Sequence, residues 1–316
     1  MAKFTIYFAT DIHGSEHCFR KFLNAGKFYG VDAVILGGDI AGKALIPIAK
    51  GTGETWDASF FGKPIHMESA EELEEFERRV RTQGYYPYRS TPDEVAEIAK
   101  HGEALDRAFE TVIGQSVEGW VAIADEKLRA AGIPCLVMPG NDDPPTVKRY
   151  LNDANWLIQS EDRIVELGPY QVLSLGYSTP TPWDSPREIT EEEMRAKLKD
   201  LIGKLEPGKQ VIFNLHNPPY DTRTDRAFKL SQDMRIQTAG GEPVLVPVGS
   251  VAVREAIEEV QPVLSLHGHI HESRAMGALG RTQVCNPGSM YTEGALQGVI
   301  VSLDKDKVKL HKFVTG

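Results

Sequence analysis

Short apolar runs of strand length recur along the chain, separated by segments in which apolar residues return every three or four positions. The runs are "FTIYFAT" (4–10), "DAVILGG" (32–38), "PCLVMPG" (134–140), "YQVLSLG" (170–176), "QVIFNLH" (210–216), "PVLSLHG" (262–268), "TQVCNPG" (282–288) and "GVIVSL" (298–303). Most are rich in β-branched or aromatic residues and stop at Gly, Pro, Asn or Asp, which predicts strands. Between them, "SEHCFRKFLNAG" predicts a helix stopped at Gly26. "TEEEMRAKLKDLIGKL" predicts another, opened by a Thr190/Glu193 capping box. This alternation predicts a layered α/β or α+β sandwich.

One stretch breaks the rhythm. Residues 47–130 separate two predicted core strands that a much shorter connection could join. Within it, "SAEELEEFERRV" carries a Ser69/Glu72 capping box, and "TPDEVAEIAKHGEALDRAFETVI" has Thr91 as cap, Pro92 in the first turn and Glu94 three residues past the cap. The expectation is one domain over 1–316, with 47–130 as an acidic, mainly helical insertion or cap. Between Glu54 and Glu110 there are 14 acidic against 7 basic residues, so most of the chain's net charge of −10 lies there and says little about a site elsewhere.

Composition narrows the class. With 316 residues, 41% hydrophobic and 25% charged, the chain reads as a soluble globular protein with one large core or two modest ones. No apolar run reaches the roughly 20 residues of a membrane helix, and the start has no signal-peptide core, so a cytoplasmic protein without membrane contact is expected. Cys18, Cys135 and Cys285 lack CxxC spacing and read as reduced packing thiols. The acidic balance argues against a protein that coats duplex nucleic acid. Nothing in the sequence sets an oligomeric state.

Chemistry-bearing side chains gather where the predicted strands end. "TDIHGS" places Asp11 and His13 two residues apart, "LGGDIAG" delivers Asp39, and "VMPGNDDPP" delivers Asn141, Asp142 and Asp143. "NLHNPP" supplies His216, and "LHGHIHES" supplies His267, His269 and His271. Each block alone also reads as a turn. Together, at carboxyl ends of strands where α/β folds bind ligands, they read as a two-metal hydrolase site. An Asp, His and Asn donor set without thiolate suits two divalent ions of Mn, Fe, Zn or Co.

In order along the chain these blocks resemble the calcineurin-like metallophosphoesterase family, whose pattern is D-x-H, G-D, G-N-H-D/E, H and G-H-x-H. The resemblance runs from about residue 4 to about 290 and leaves the insertion uncovered. It lies closest to small bacterial and archaeal phosphoesterases with similar "HNPPY" and "LHGHIHES" segments. It implies a four-layer αββα sandwich, with Asp11, His13, Asp39 and His271 holding one metal. Asp39 would bridge to a second metal held also by Asn141, His216 and His269.

The implied activity is phosphoester hydrolysis by a hydroxide held between the metals. The implied partner is a phosphoester substrate, nucleotide-like molecules included. The chain departs from the family at Asp142, which stands where a proton-donating His is usual. An Asp beside two cations stays ionised and is a poor acid at neutral pH, so diesters or activated esters are favoured over simple monoesters.

Other positions keep two readings. His267 is structural or a donor to the leaving group. Asp143 precedes Pro144 and a helical pattern, and is expected as that helix's N-cap. In the loop after His216, Arg223, Arg226, Lys229 and Arg235, with Ser250 opening the helix "VAVREAIEEV", either meet substrate phosphate or are a solvated connection and a cap. His17, His66, His101 and His311 fall outside every block and read as surface or packing residues. The rival to an enzyme is a metal-binding regulatory or scaffold protein with a degenerate site.

Overall fold

All eight apolar runs are strands, and alternation within them sets the layers. In Phe4–Ala9, Ile6 and Phe8 point to one side while Tyr7 and Ala9 point to the other, and the two sets enter different cores. The structure, a computed structural model, describes residues 3–100 and 102–316; His101 lies outside the described residues. One six-stranded sheet runs Lys307–Thr315, Gln297–Asp304, Phe4–Ala9, Ala33–Leu36, Cys135–Val137, Leu157–Gln159. The second runs Ala275–Leu279, Thr282–Asn286, Leu264–Leu266, Gln210–Leu215, Tyr170–Leu175, Arg163–Leu167. In each sheet four consecutive strands are parallel, with antiparallel strands outside them.

Between the sheets lies a dry core. Ile6, Phe8, Ile35 and Leu136 from the first sheet share it with Val172, Ile212, Leu264 and Cys285 from the second. Outside the first sheet, helices Glu16–Tyr29 and Gly102–Ala131 pack through Phe22, Val117, Trp120 and Leu128, with Phe19 stacked on Trp120 at 4.3 Å between ring centroids. Outside the second, Glu191–Ile202 and Val251–Val260 pack through Leu198 and Ile257. This is the αββα sandwich expected from the sequence.

One helix boundary and the insertion differ in detail from the expectation. Gly26 does not stop the first helix: it is buried inside it, where an added Cβ would press on Ile133 and Val34. The stop is Gly30, at φ 61°, four residues on. The Thr190/Glu193 box forms in both directions, at 3.2 and 2.8 Å. Segment 47–130 contains, besides its helices, most of a four-stranded sheet made of Leu45–Lys50, Trp56–Phe60, Lys63–Met67 and Tyr86–Ser90. That sheet has its own small core of Ile48, Phe60, Met67, Leu73, Phe76 and Val80. The second half of Gly102–Ala131 is part of the main helical layer, so only the earlier residues stand apart from the sandwich.

Candidate metal centre

Strands from both sheets end at the same place. Asp11 and His13 follow Phe4–Ala9, Asp39 follows Ala33–Leu36, and Asn141 and Asp142 follow Cys135–Val137. His216 follows Gln210–Leu215, and His269 and His271 follow Leu264–Leu266. His13 Nε2 stands 3.0 Å from His271 Nε2 and 3.6 Å from Asp39 Oδ2. His216 Nε2 stands 3.3 Å from Asp39 Oδ2 and 3.8 Å from Asp11 Oδ1, and His271 Nε2 is 3.4 Å from Asp11 Oδ1. Two clusters result, Asp11/His13/His271 and Asp11/Asp39/His216, each with donor atoms within 4.8 Å of one another. Asp142 joins His13 and Asp39 in a third.

The backbone is bent to make this convergence. Asp11, His13, Asp39 and His269 all have positive φ, at 54°, 41°, 49° and 68°. Four non-glycine residues in that sparsely populated region within one site are strain of the kind that clusters where ligands bind. Buried donor atoms are also left without hydrogen bonds: His13 Nδ1, His216 Nε2 and Asn141 Oδ1. Asn141 has its orientation fixed, because Nδ2 donates to Ser185 Oγ at 2.8 Å and to Asp142 Oδ1 at 2.9 Å, leaving Oδ1 free. The donors fit divalent metal. Two imidazole nitrogens each roughly 2.1 Å from one ion and at right angles stand about 3 Å apart, as those of His13 and His271 do.

Charge in the site is coupled. Burial opposes ionisation of Asp39, yet His216, His13 and the Asp142 amide hold it well below the usual carboxylate range. Burial likewise opposes ionisation of Asp11, but His271 and His216 bring it to about 2. His13 is held well below an ordinary imidazole by burial, helped by Lys43 and His271. His216 is the exception: burial pulls its pKa down, but Asp39 and Asp11 push it up to about 10.

No family model matches the chain. It is 31% identical over 154 residues to an uncharacterized protein of Methanocaldococcus jannaschii, a match spanning 48% of this chain and 62% of that relative's length. It is 23% identical over 227 residues to the UDP-2,3-diacylglucosamine hydrolase of Shigella dysenteriae, covering 67% of this chain and 88% of that protein. Among solved structures, the Thermus thermophilus protein TT1561 aligns with 100% of this chain and 99% of its own at a TM-score of 0.55 and 16% identity, a likeness of fold. The five motif blocks meet at one point on that fold. The order of these blocks resembles that of the calcineurin-like metallophosphoesterase family.

Several residues outside the five motif blocks hold this site together. Asp143 is not a helix cap: Pro144 takes that position and makes no side-chain cap. The Asp143 carboxylate, fully buried, accepts from Ile40 N at 3.0 Å, Ala41 N at 2.6 Å and Gly140 N at 2.7 Å, and so ties the Asp39 loop to the Asn141 loop. Burial and Asp39 push its pKa up to about 7. Asn286 does the same for the histidine loop, donating to Gly268 O and Ile270 O and accepting from Gly288 N. The "NPG" of "VCNPGS" signals only a turn.

Arg187 has no signal in the sequence at all. Its Nη1 donates to Gly140 O at 3.0 Å, its amide to Asn141 O at 3.1 Å, and its guanidinium pairs with buried Glu161. Removing one partner of a buried pair strands the other charge. Arg187→Met is therefore expected to destabilise the fold by about 3–5 kcal/mol in urea unfolding. A loss below about 1 kcal/mol would show that Lys148, 2.9 Å from Glu161, suffices alone.

Other expected site residues are placed differently. His269 donates its amide to Asp11, and its ring packs 5.5 Å from that of His216, outside the tight clusters. His267 is structural. Its Nδ1 faces the carbonyls of Leu215 and Asn217, so Nδ1 carries the proton and Nε2 accepts from Ser265 Oγ, leaving nothing for a leaving group. Ser250 is buried and caps its helix, and that N-terminus already holds an anion, because the Glu191 carboxylate accepts from the amides of Val251 and Ala252. Arg226 pairs with Asp221 at 2.6 Å. With Arg223 it lines a cavity of about 760 Å³ bordered by Glu272, Arg274, His311 and Phe313, which includes none of the cluster residues. His17, His66 and His311 are exposed, and all three cysteines are buried and unpaired. Among the described residues no helix is long and apolar enough to cross a membrane.

Proposed function

We propose that the protein is a metal-dependent phosphoesterase with a dinuclear centre, acting on phosphodiesters or activated phosphate esters in preference to simple alkyl monoesters. The observation that carries this reading is the convergence of the Nε2 atoms of His13, His216 and His271 on two buried carboxylates, Asp11 and Asp39, with His216 Nε2 and Asn141 Oδ1 left without hydrogen bonds. Asp11, His13 and His271 would hold one metal, and Asn141, His216 and His269 the other, with Asp39 between them. Two divalent ions held there would supply charge for the phosphoryl oxygens and would lower the pKa of a water for attack at neutral pH.

The chain's own residues do the positioning. Asp143 and Arg187 hold the Asn141 loop, Asn286 holds the histidine loop, and the Nδ1 proton of His216, donated to Gly37 O at 2.9 Å, aims Nε2 inward. The preference for good leaving groups follows from Asp142. Burial and Asp39 raise its pKa while Lys43 opposes them, and both its oxygens already face donors, Asn141 Nδ2 and Lys43 Nζ, each at 2.9 Å, so neither is placed to give a proton to a leaving group. The name of the Shigella dysenteriae relative, with its uridine diphosphate group, supports a nucleotide-like substrate.

The test is metal analysis of the purified protein followed by loading with Mn and assay on an aryl phosphodiester and an aryl monoester. Near two ions per chain, and faster turnover of the diester, are expected. Absence of metal uptake after reloading would leave a scaffold with a degenerate site, and metal uptake without turnover of either ester would sink the catalytic reading.

A further inference from the structure

Lys43 belongs to no family motif, yet it stands at the mouth of the metal cluster. Its Nζ lies 2.9 Å from Asp142 Oδ2, and that same oxygen is 3.8 Å from His13 Nδ1. The backbone leading to it is pinned residue by residue. Ile40 and Ala41 donate to Asp143, and Gly42 donates to Tyr86 Oη at 2.9 Å. Gly42 also packs so closely on Gly84 O that no side chain fits there. Tyr86 and Gly84 come from the insertion, whose strand Tyr86–Ser90 pairs with Leu45–Lys50 immediately after Lys43. An ordinary surface lysine needs no such anchoring.

Asp142 brings a carboxylate to the place where an anionic ester must arrive, and unpaired it would repel that ester. Lys43 supplies the opposite charge. An ammonium has three donors, and among the described residues Asp142 is Lys43's one ionic partner, while the side chain is 44% exposed. Donors therefore remain for a ligand. Tyr291, its ring 4.6 Å from that of His13, borders the same opening.

We propose that Lys43 is the anion-recognising residue of this centre: its ammonium, held by Asp142, hydrogen-bonds a phosphoryl oxygen of the bound ester, and Asp142 is its positioning residue and not an acid. The proposal rests on the phosphoesterase reading. It gives the insertion a role, that of fixing a substrate-binding cation beside the metals. The contact exists in substrate and transition state alike, so its loss raises KM more than it lowers kcat.

The experiment measures inorganic phosphate binding to Mn-loaded protein by calorimetry, alongside metal content and steady-state kinetics. Lys43→Met is expected to keep its metal, bind phosphate about tenfold more weakly and raise KM by a similar factor. Lys43→Arg should stay within about threefold of the parent, since it keeps a charged donor. Asp142→Asn should weaken phosphate binding in the parent, by releasing the ammonium, but strengthen it in Lys43→Met, where the carboxylate would otherwise stand unpaired and repel the anion. Parent protein that turns over ester, with Lys43→Met binding phosphate equally well, would overturn the assignment and leave the phosphoesterase reading standing. A parent protein without turnover would overturn the reading and the assignment with it.

Discussion

Asp39→Asn is expected to lower metal-dependent ester hydrolysis by about 1,000-fold and to reduce bound metal from near two ions to one or fewer. Removing a single fixed group that stabilises transition-state charge costs about 10²–10³ in rate, and Asp39 stands beside the donors of both clusters. Asparagine isolates the charge. Asp39 sits at φ 49°, a conformation Asn adopts readily, whereas Ala there would add backbone strain. Asp39 Oδ1 also accepts the Asp142 amide at 2.9 Å, a bond the Asn oxygen can keep. Secondary structure by circular dichroism should therefore match the parent while metal content and turnover fall. Undiminished metal-dependent turnover in this variant would rule out Asp39 as the shared ligand.

The donors around Asp39 are legible in the sequence because each follows an apolar run. A run of strand length followed by Asp, Asn or His places that side chain at a strand's carboxyl end, and five such ends facing one another need only the layered fold. What supports the donors is not legible, since it depends on contacts far apart in the chain. Arg187 reaches Gly140 across 47 positions, Asp143 reaches Ala41 across 102, and Asn286 reaches Thr224 across 62. None has a local pattern that distinguishes it from a turn or surface residue.

Asp143 reads wrongly from sequence because Asp before Pro-Pro is a good capping sequence, and three buried amides outweigh the cap. Gly26 reads wrongly because glycine near the end of a helical pattern usually stops it, whereas here it makes room for Ile133 and Val34. The strands of the insertion escape for a related reason. "WDASF" and "KPIHM" have exposed faces, and they are held by pairing with each other and, through "WDASF", with Leu45–Lys50.

Metal uptake at pH 7 is expected to release one proton, and that proton comes from His216. In the metal-free chain its Nδ1–H donates to Gly37 O, so Nε2 is the nitrogen that titrates, 3.3 Å from Asp39 and 3.8 Å from Asp11. Burial alone would keep the ring neutral, but the two carboxylates raise its pKa from 6.5 to about 10. The imidazolium thus holds the position of a cation until metal replaces it. His13 and His269 contribute no proton, because burial lowers both, His269 to about 4. Asp11 and Asp39 are already ionised.

Two pH dependences follow with opposite signs. Since folding raises the His216 pKa, its ion pairs stabilise the metal-free chain in full below about pH 6.5, and this contribution is lost as pH rises through about 10. Metal competes with the same proton, so apparent metal affinity should climb by about tenfold per pH unit between pH 7 and 9. Calorimetry in two buffers of different ionisation enthalpy reads the released proton directly. The rise in melting temperature on adding metal should also grow with pH over that range. Metal binding with no proton release at pH 7 would mean that His216 is neutral before metal arrives, and Asp39 would then balance its charge against Lys43 and not against the imidazolium.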